Sequence, residues 1–183
     1  MRILKIRMAI VPAVFLIIGA CSSPQPSRPP DPELTSLSGA GRRAYQEGEF
    51  AAAARFYRRG LERAREMDAP DRIGTSAYNL AICRYLTGEY ESIGPLLKEA
   101  RSAYRREGEV PADLLLLEAR TAFQNGNLAR ARELAGEGMS REDESDRVDF
   151  LILLGTISLC EGDPAAARDY LAEAEDFIEE PAP

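Results

Sequence analysis

Four short segments line up on a glycine, and their spacing restricts the fold more than any other feature of the chain. They read Tyr45-Gln-Glu-Gly48-Glu-Phe50, Tyr85-Leu-Thr-Gly88-Glu-Tyr90, Phe123-Gln-Asn-Gly126-Asn-Leu128 and Leu159-Cys-Glu-Gly162-Asp-Pro164. The glycines lie 40, 38 and 36 residues apart. Small or apolar residues flank each at fixed offsets. Seven residues before stand Gly41, Ala81, Ala119 and Gly155; five after, Ala53, Ile93, Ala131 and Ala167; twelve after, Gly60, Ala100, Gly138 and Ala174. A glycine that follows a helical stretch enters the left-handed region at little cost and turns the chain. Small residues on both sides let two helices approach closely, while Leu80, Leu97, Leu154 and Leu171 are expected to fill the gaps. One hairpin cannot bury its own apolar face, so neighbouring hairpins must stack.

From Leu34 onward the apolar spacing is helical and no strand-like alternation occurs. The spacing predicts helices over 34–47, 50–67, 71–87, 90–106, 111–125, 127–139, 147–161 and 164–179. Breaks fall at Asp68-Ala-Pro70-Asp71, at Gly108-Glu-Val-Pro111 and in the polar run Ser140 to Asp146. The pattern resembles the tetratricopeptide repeat over residues 34–179, about four repeats. It departs from that family where a tryptophan is usual, with Leu37, Ala77, Leu115 and Leu151 instead, and its period exceeds the nominal one. The fold class expected is all-α, an arc of four helical hairpins.

The N-terminus reads as an address. Arg2, Lys5 and Arg7 precede an apolar run from Met8 to Ile18, too short to span a bilayer and arranged as in a secretory signal. Ile18-Gly19-Ala20-Cys21 resembles the lipobox of bacterial lipoproteins, in which the signal is cut before the cysteine and the thiol is lipidated. The expected division is a signal peptide over 1–20, a lipidated Cys21 and Pro/Ser-rich linker over 21–33, the repeat domain over 34–179 and a tail over 180–183. Ser22 after the cysteine resembles the sorting class of the outer membrane, so the expected location is that membrane's periplasmic side. Five prolines between Ser22 and Pro32 favour extended chain over helix. At about 3.1 Å per residue such a tether would hold the domain some 35 Å from the bilayer.

Composition removes several classes of function. The chain has no histidine, which excludes His-dependent nucleophilic triads and His-ligated metals. Its 183 residues carry a net charge of −7, and the acids repel nucleic acid. Loss of residues 1–20 would make the charge −10 and leave Lys98 as the one lysine. No phosphate loop, dinucleotide fingerprint or nucleophile motif is present, so neither catalysis nor a cofactor is expected. Cys83 and Cys160, two repeats apart, are expected to be buried small hydrophobes rather than a disulfide.

The tetratricopeptide resemblance implies a groove lined by the first helix of each hairpin. The residues it places there are Arg42, Tyr45, Tyr78, Ile82, Tyr85, Arg120 and Phe123, with Asn79 where some relatives clamp a peptide backbone or carboxylate. Aromatics and arginines suit such a surface, because they bring contact area and a carboxylate fork with few rotors to freeze. A second candidate surface is the eighth helix. The chain reads Glu179-Glu180-Pro-Ala-Pro directly after it, and Tyr170, Leu171, Ala174, Phe177 and Ile178 form two apolar rows. Either the acids of this helix, Glu173, Glu175, Asp176, Glu179 and Glu180, close the array by themselves, or a partner or a second copy docks here through Phe177 and Ile178. Charge is uneven as well: residues 39–67 sum to +3, residues 137–180 to −11.

These features point to a non-catalytic, membrane-anchored adaptor for a protein or peptide partner in the bacterial cell envelope. In kind it is similar to repeat lipoproteins of outer-membrane or pilus assembly. The contrasting class is a periplasmic enzyme or small-molecule-binding subunit. The anchor is testable in cells: Cys21→Ser is expected to release the chain from the membrane fraction, and sedimentation of that variant with membranes at high salt would refute the lipid anchor.

Overall fold

In a computed structural model the described residues are 30–140 and 146–179. The expected signal, Cys21, the linker up to residue 29, Arg141 to Ser145 and the tail lie outside them. The order of elements is α1 (Pro32–Gln46), α2 (Phe50–Glu66), α3 (Pro70–Leu86), a 3-10 turn (Tyr90–Ser92), α4 (Gly94–Glu107), α5 (Ala112–Gln124), α6 (Leu128–Met139), α7 (Arg147–Cys160) and α8 (Pro164–Glu179). Consecutive helices pair as four antiparallel hairpins, and each hairpin packs on the next. No strand occurs among the described residues. None of their helices is long and apolar enough to cross a membrane.

The four turns within the hairpins are built alike. Gly48, Gly88, Gly126 and Gly162 have φ of 77°, 79°, 74° and 81°. The residue after each glycine donates its amide five residues back: Glu49 to Ala44, Glu89 to Arg84, Asn127 to Ala122 and Asp163 to Ser158, at 2.8–2.9 Å. This is the Schellman closure, which satisfies carbonyls the helix end leaves open. In the first two turns an edge-on aromatic pair braces the corner, Tyr45 on Phe50 at 5.4 Å and Tyr85 on Tyr90 at 5.2 Å. Asp68 takes the glycine's part between α2 and α3, at φ 43°.

All twelve of the small or apolar positions that flank the turn glycines are buried. At several glycines an aromatic ring from the facing helix occupies the missing side chain's place. A Cβ on Gly41 would sit 2.7 Å from the Tyr57 ring, and one on Gly74 3.2 Å from Tyr104. On Gly138 it would come within 2.1 Å of the ring of Phe150, the largest fully buried side chain among the described residues. The residues standing in for the family's tryptophan, Leu37, Ala77, Leu115 and Leu151, are buried too.

Two helix starts differ from the sequence expectation by more than one residue, and proline explains both. α1 begins at Pro32, inside the stretch expected to be linker, because proline is accepted in the first turn where its missing N–H costs nothing. Asp31 caps that turn by accepting from the Leu34 amide at 2.8 Å and from Arg63 at 2.7 Å. The fourth helix was expected from residue 90 but starts at Gly94, which puts Pro95 in the first turn. A helix through Tyr90 would drive the Pro95 ring into the Glu91 carbonyl, so the chain makes a 3-10 turn first.

The seam between the second and third hairpins has its own character. α4 approaches α5 less closely than α2 approaches α3 or α6 approaches α7. Arg101 of α4 spans the gap, bidentate to Glu118 of α5 with Nε at 2.9 Å, and reaches Glu137 of α6. Both Arg101 and Glu118 are largely covered. Removal of one partner there would strand the other charge.

The packing makes a paired prediction on one helix. Gly138→Ala is expected to destabilise by ~1–3 kcal/mol, because the new methyl must displace Phe150. Gly136→Ala has open space and is expected to stabilise by ~0.5–1 kcal/mol through helix propensity. Urea unfolding midpoints of the two variants check the contrast; equal shifts would mean that Gly138 is not a packing position.

Candidate functional site

A cleft of about 520 Å³ opens between α1 and α3. α1 contributes Thr35, Ser38, Gly39, Arg42 and Tyr45; α3 contributes Arg72, Thr75, Ser76, Asn79 and Ile82; Tyr57 of α2 forms part of the floor. The two sets have the same internal spacing, steps of three, one, three and three, which is one helical face on each side. Short side chains dominate the walls and keep the cleft open. Thr35 and Thr75 each donate to the carbonyl four residues back, at 2.9 Å, so their hydroxyls are already spent on the backbone.

The electrostatics of the cleft differ from those of the chain as a whole. No acid lines it. Arg72 is paired with its neighbour Asp71 at 2.9 Å. Arg42 has no ion pair or hydrogen bond among the described residues, and neither does the half-buried Asn79 amide. Burial pushes the Tyr57 hydroxyl above the ordinary phenol range, against a smaller opposing pull from Arg42, so it stays protonated. An acid-free cleft that offers a guanidinium and an amide suits an extended chain bearing a carboxylate.

The structure thus brings Arg42, Tyr45, Asn79 and Ile82 together and leaves the other four groove residues outside this lining. Tyr78 is half-buried at the junction of α3 and α5. Its hydroxyl is raised far above the usual range, first by burial and then by the Asp113 carboxylate that accepts from it. Tyr85 is braced edge-on by Tyr90. Arg120 bonds Asp149 of α7 at 2.6 Å. Phe123 lies half-buried against the core. Thr35, Ser38, Thr75, Ser76 and Arg72 were missed by the sequence reading; their signal was the shared spacing on two helices. On α8, Ile178 is exposed, but Phe177 is half-buried beneath the Arg147 guanidinium at 4.8 Å. Leu171, expected to fill a gap, lies partly exposed against Gly155.

Cys83 and Cys160 are both free, as expected, but only Cys83 is buried. Cys160, the last residue of α7, is exposed. Among the described residues no cluster of carboxylates and cysteines has the form of a metal site.

No protein-family model matches the sequence, and no curated protein matches it. Solved structures do resemble the fold. BtubC (BKLC) from P. vanneervenii is 21% identical and superposes with a TM-score of 0.72, covering 85% of this chain and 70% of that one. MamA, from residue 41 to its end, from Desulfovibrio magneticus RS-1 is 11% identical with a TM-score of 0.51, covering 84% of this chain and 99% of that one. The fold is a tetratricopeptide-like helical repeat.

Burial also raises the Cys83 thiol, to about 11. An exposed thiol titrates near 9.0, so the burial of Cys83 contributes stability below that pH which is lost as the pH rises towards 11. A maleimide at mildly alkaline pH is expected to label Cys160 in the native protein and Cys83 only after denaturation. Peptide mapping checks this; equal labelling of both in the native state would contradict the burial of Cys83.

Proposed function

We propose that this protein is a non-catalytic scaffold that seats an acidic segment or chain end of a protein partner in the cleft between α1 and α3. The observation that supports this reading is the pair of unpartnered groups, Arg42 and Asn79, on facing helices of a cleft without acids. Arg42 supplies a fork for a carboxylate and Asn79 a donor and acceptor for a peptide unit. Tyr45 and Ile82 add apolar walls at one end. With Cys21 lipidated, the same scaffold would work tethered in the cell envelope, on the periplasmic face of the outer membrane. The helical repeat supports the interaction role, and the sequence before residue 30 supports the anchor.

The test is affinity capture with the full-length chain from envelope extracts, followed by binding measurements on whatever is retained in stoichiometric amount. Arg42→Ala and Asn79→Ala are each expected to weaken that partner by ~1–3 kcal/mol with an unchanged melting temperature. Unchanged affinity in both variants would overturn the cleft as the site. Turnover of a small molecule by the purified chain would overturn the scaffold reading.

A further inference from the structure

The cleft between α1 and α3 changes chemistry along its length. Arg42 and Asn79 stand on its two walls, and neither has an ion pair or hydrogen bond among the described residues. Three residues on from each come Tyr45 and Ile82. α1 and α3 run the same way, because each is antiparallel to α2, so these two side chains lie on one side of the polar pair. Three and four residues in the other direction the walls are Gly39 and Ser38 on α1, Ser76 and Thr75 on α3. A carboxylate held by Arg42 and Asn79 would thus have an apolar subsite on one side and small, mostly hydroxyl-bearing walls on the other.

The apolar subsite is built before anything enters it. Tyr45 is 38% exposed, yet its ring is held edge-on by Phe50 at 5.4 Å. Ile82 is half-buried against the core, and branching at Cβ restricts its rotamers. Walls already fixed in place lose little freedom on binding, so a side chain of matching size gains most of what its burial is worth.

The spacing selects among ligands that carry both groups. Three residues rise about 4.5 Å along a helix, which separates the polar pair from the apolar one. In an extended segment the side chain after an acidic residue points to the opposite face, and the next on the same face is about 6.6 Å away. A chain's last residue carries its carboxylate and its own side chain on one Cα, about 4–5 Å apart at their far ends. We propose that the cleft reads a partner's C-terminal residue, and that this residue is large and apolar, of the leucine or phenylalanine class. Its carboxylate sits between Arg42 and Asn79, and its side chain between Tyr45 and Ile82. The three residues before it run back along the small walls towards Arg72, seven residues and about 10 Å from Asn79 on α3. The proposal rests on the cleft being the binding site, and adds which end of a partner enters it and with what side chain.

The experiment is calorimetric titration of the full-length chain, in constant detergent, with five acetylated pentapeptides. They are Gly-Ser-Gly-Ser-Leu as acid and as amide, the acids ending instead in Gly and in Asp, and the amide Gly-Ser-Asp-Leu-Ser. The leucine acid is expected to bind about ten-fold tighter than its own amide and than the glycine acid. The other two peptides should bind no better than the glycine acid. Arg42→Ala should erase the advantage of acid over amide and keep that of leucine over glycine. Ile82→Ala should cut leucine's advantage to about three-fold and keep that of acid over amide. General damage to the fold would weaken all peptides together, so the crossed ratios report the two subsites. Equal binding of the leucine and glycine acids, tighter binding of the aspartate-ended or internal-acid peptide, or unchanged ratios in Ile82→Ala would overturn the proposal. A preference for acid over amide that still depends on Arg42 would, in each of those cases, leave the cleft as the site. No binding by any peptide up to about 1 mM, or no preference for acid over amide in wild type, would overturn both.

Discussion

The closest helix contacts in this fold depend on a small residue allowing a ring or a backbone to come close. Gly41 under Tyr57, Gly74 under Tyr104 and Gly138 under Phe150 are the tightest cases. The ring fills the place where a side chain would stand, and the helices sit nearer than two branched side chains would permit. Alanines at Ala53, Ala81, Ala100, Ala119, Ala131, Ala167 and Ala174 do the same more gently and are all buried. The array is therefore held by close backbone approach repeated at a fixed offset, and its leucines fill what remains.

Close packing of this kind sets the spacing between first helices, and the spacing sets what a groove can hold. Between α1 and α3 the facing residues are mostly threonine, serine and glycine, so a cleft stays open. Between α5 and α7 an arginine and an aspartate meet across the corresponding face, and the bond between Arg120 and Asp149 occupies both groups. The same fold thus offers an available guanidinium at one end of its inner surface and a committed one farther along.

The helices were legible because glycine, proline and the apolar period act locally. Seven of the eight predicted helices start and end within two residues of the observed ones. The exception, α4, turned on Pro95, whose steric demand on the preceding turn outweighs the apolar pattern of Tyr90 and Ile93. The groove was half legible. Arg42, Tyr45, Asn79 and Ile82 share the cleft, while Tyr78, Tyr85, Arg120 and Phe123 have partners from elsewhere in the chain. Those partners are Asp113, Tyr90, Asp149 and the core, and two of them, Asp113 and Asp149, are residues that no repeat register would single out. Cys160 shows the same limit, since a cysteine's burial depends on whether a neighbour covers the end of its helix.

The sequence by itself determined the number of hairpins, the position of each turn and which side chains are small enough to be crossed closely. These follow from φ preferences, missing amide protons and side-chain volume, all properties of a residue and its near neighbours. The proposed membrane address rests on the residues up to Cys21 alone, a pattern of charge and hydropathy. Only the tertiary structure decided which arginines are spent on carboxylates of other elements and which stay open, because the ion pairs between elements join residues some seventeen to thirty-eight positions apart. It likewise decided which apolar rows are covered, since the flank of a helix is core or surface according to what packs beside it.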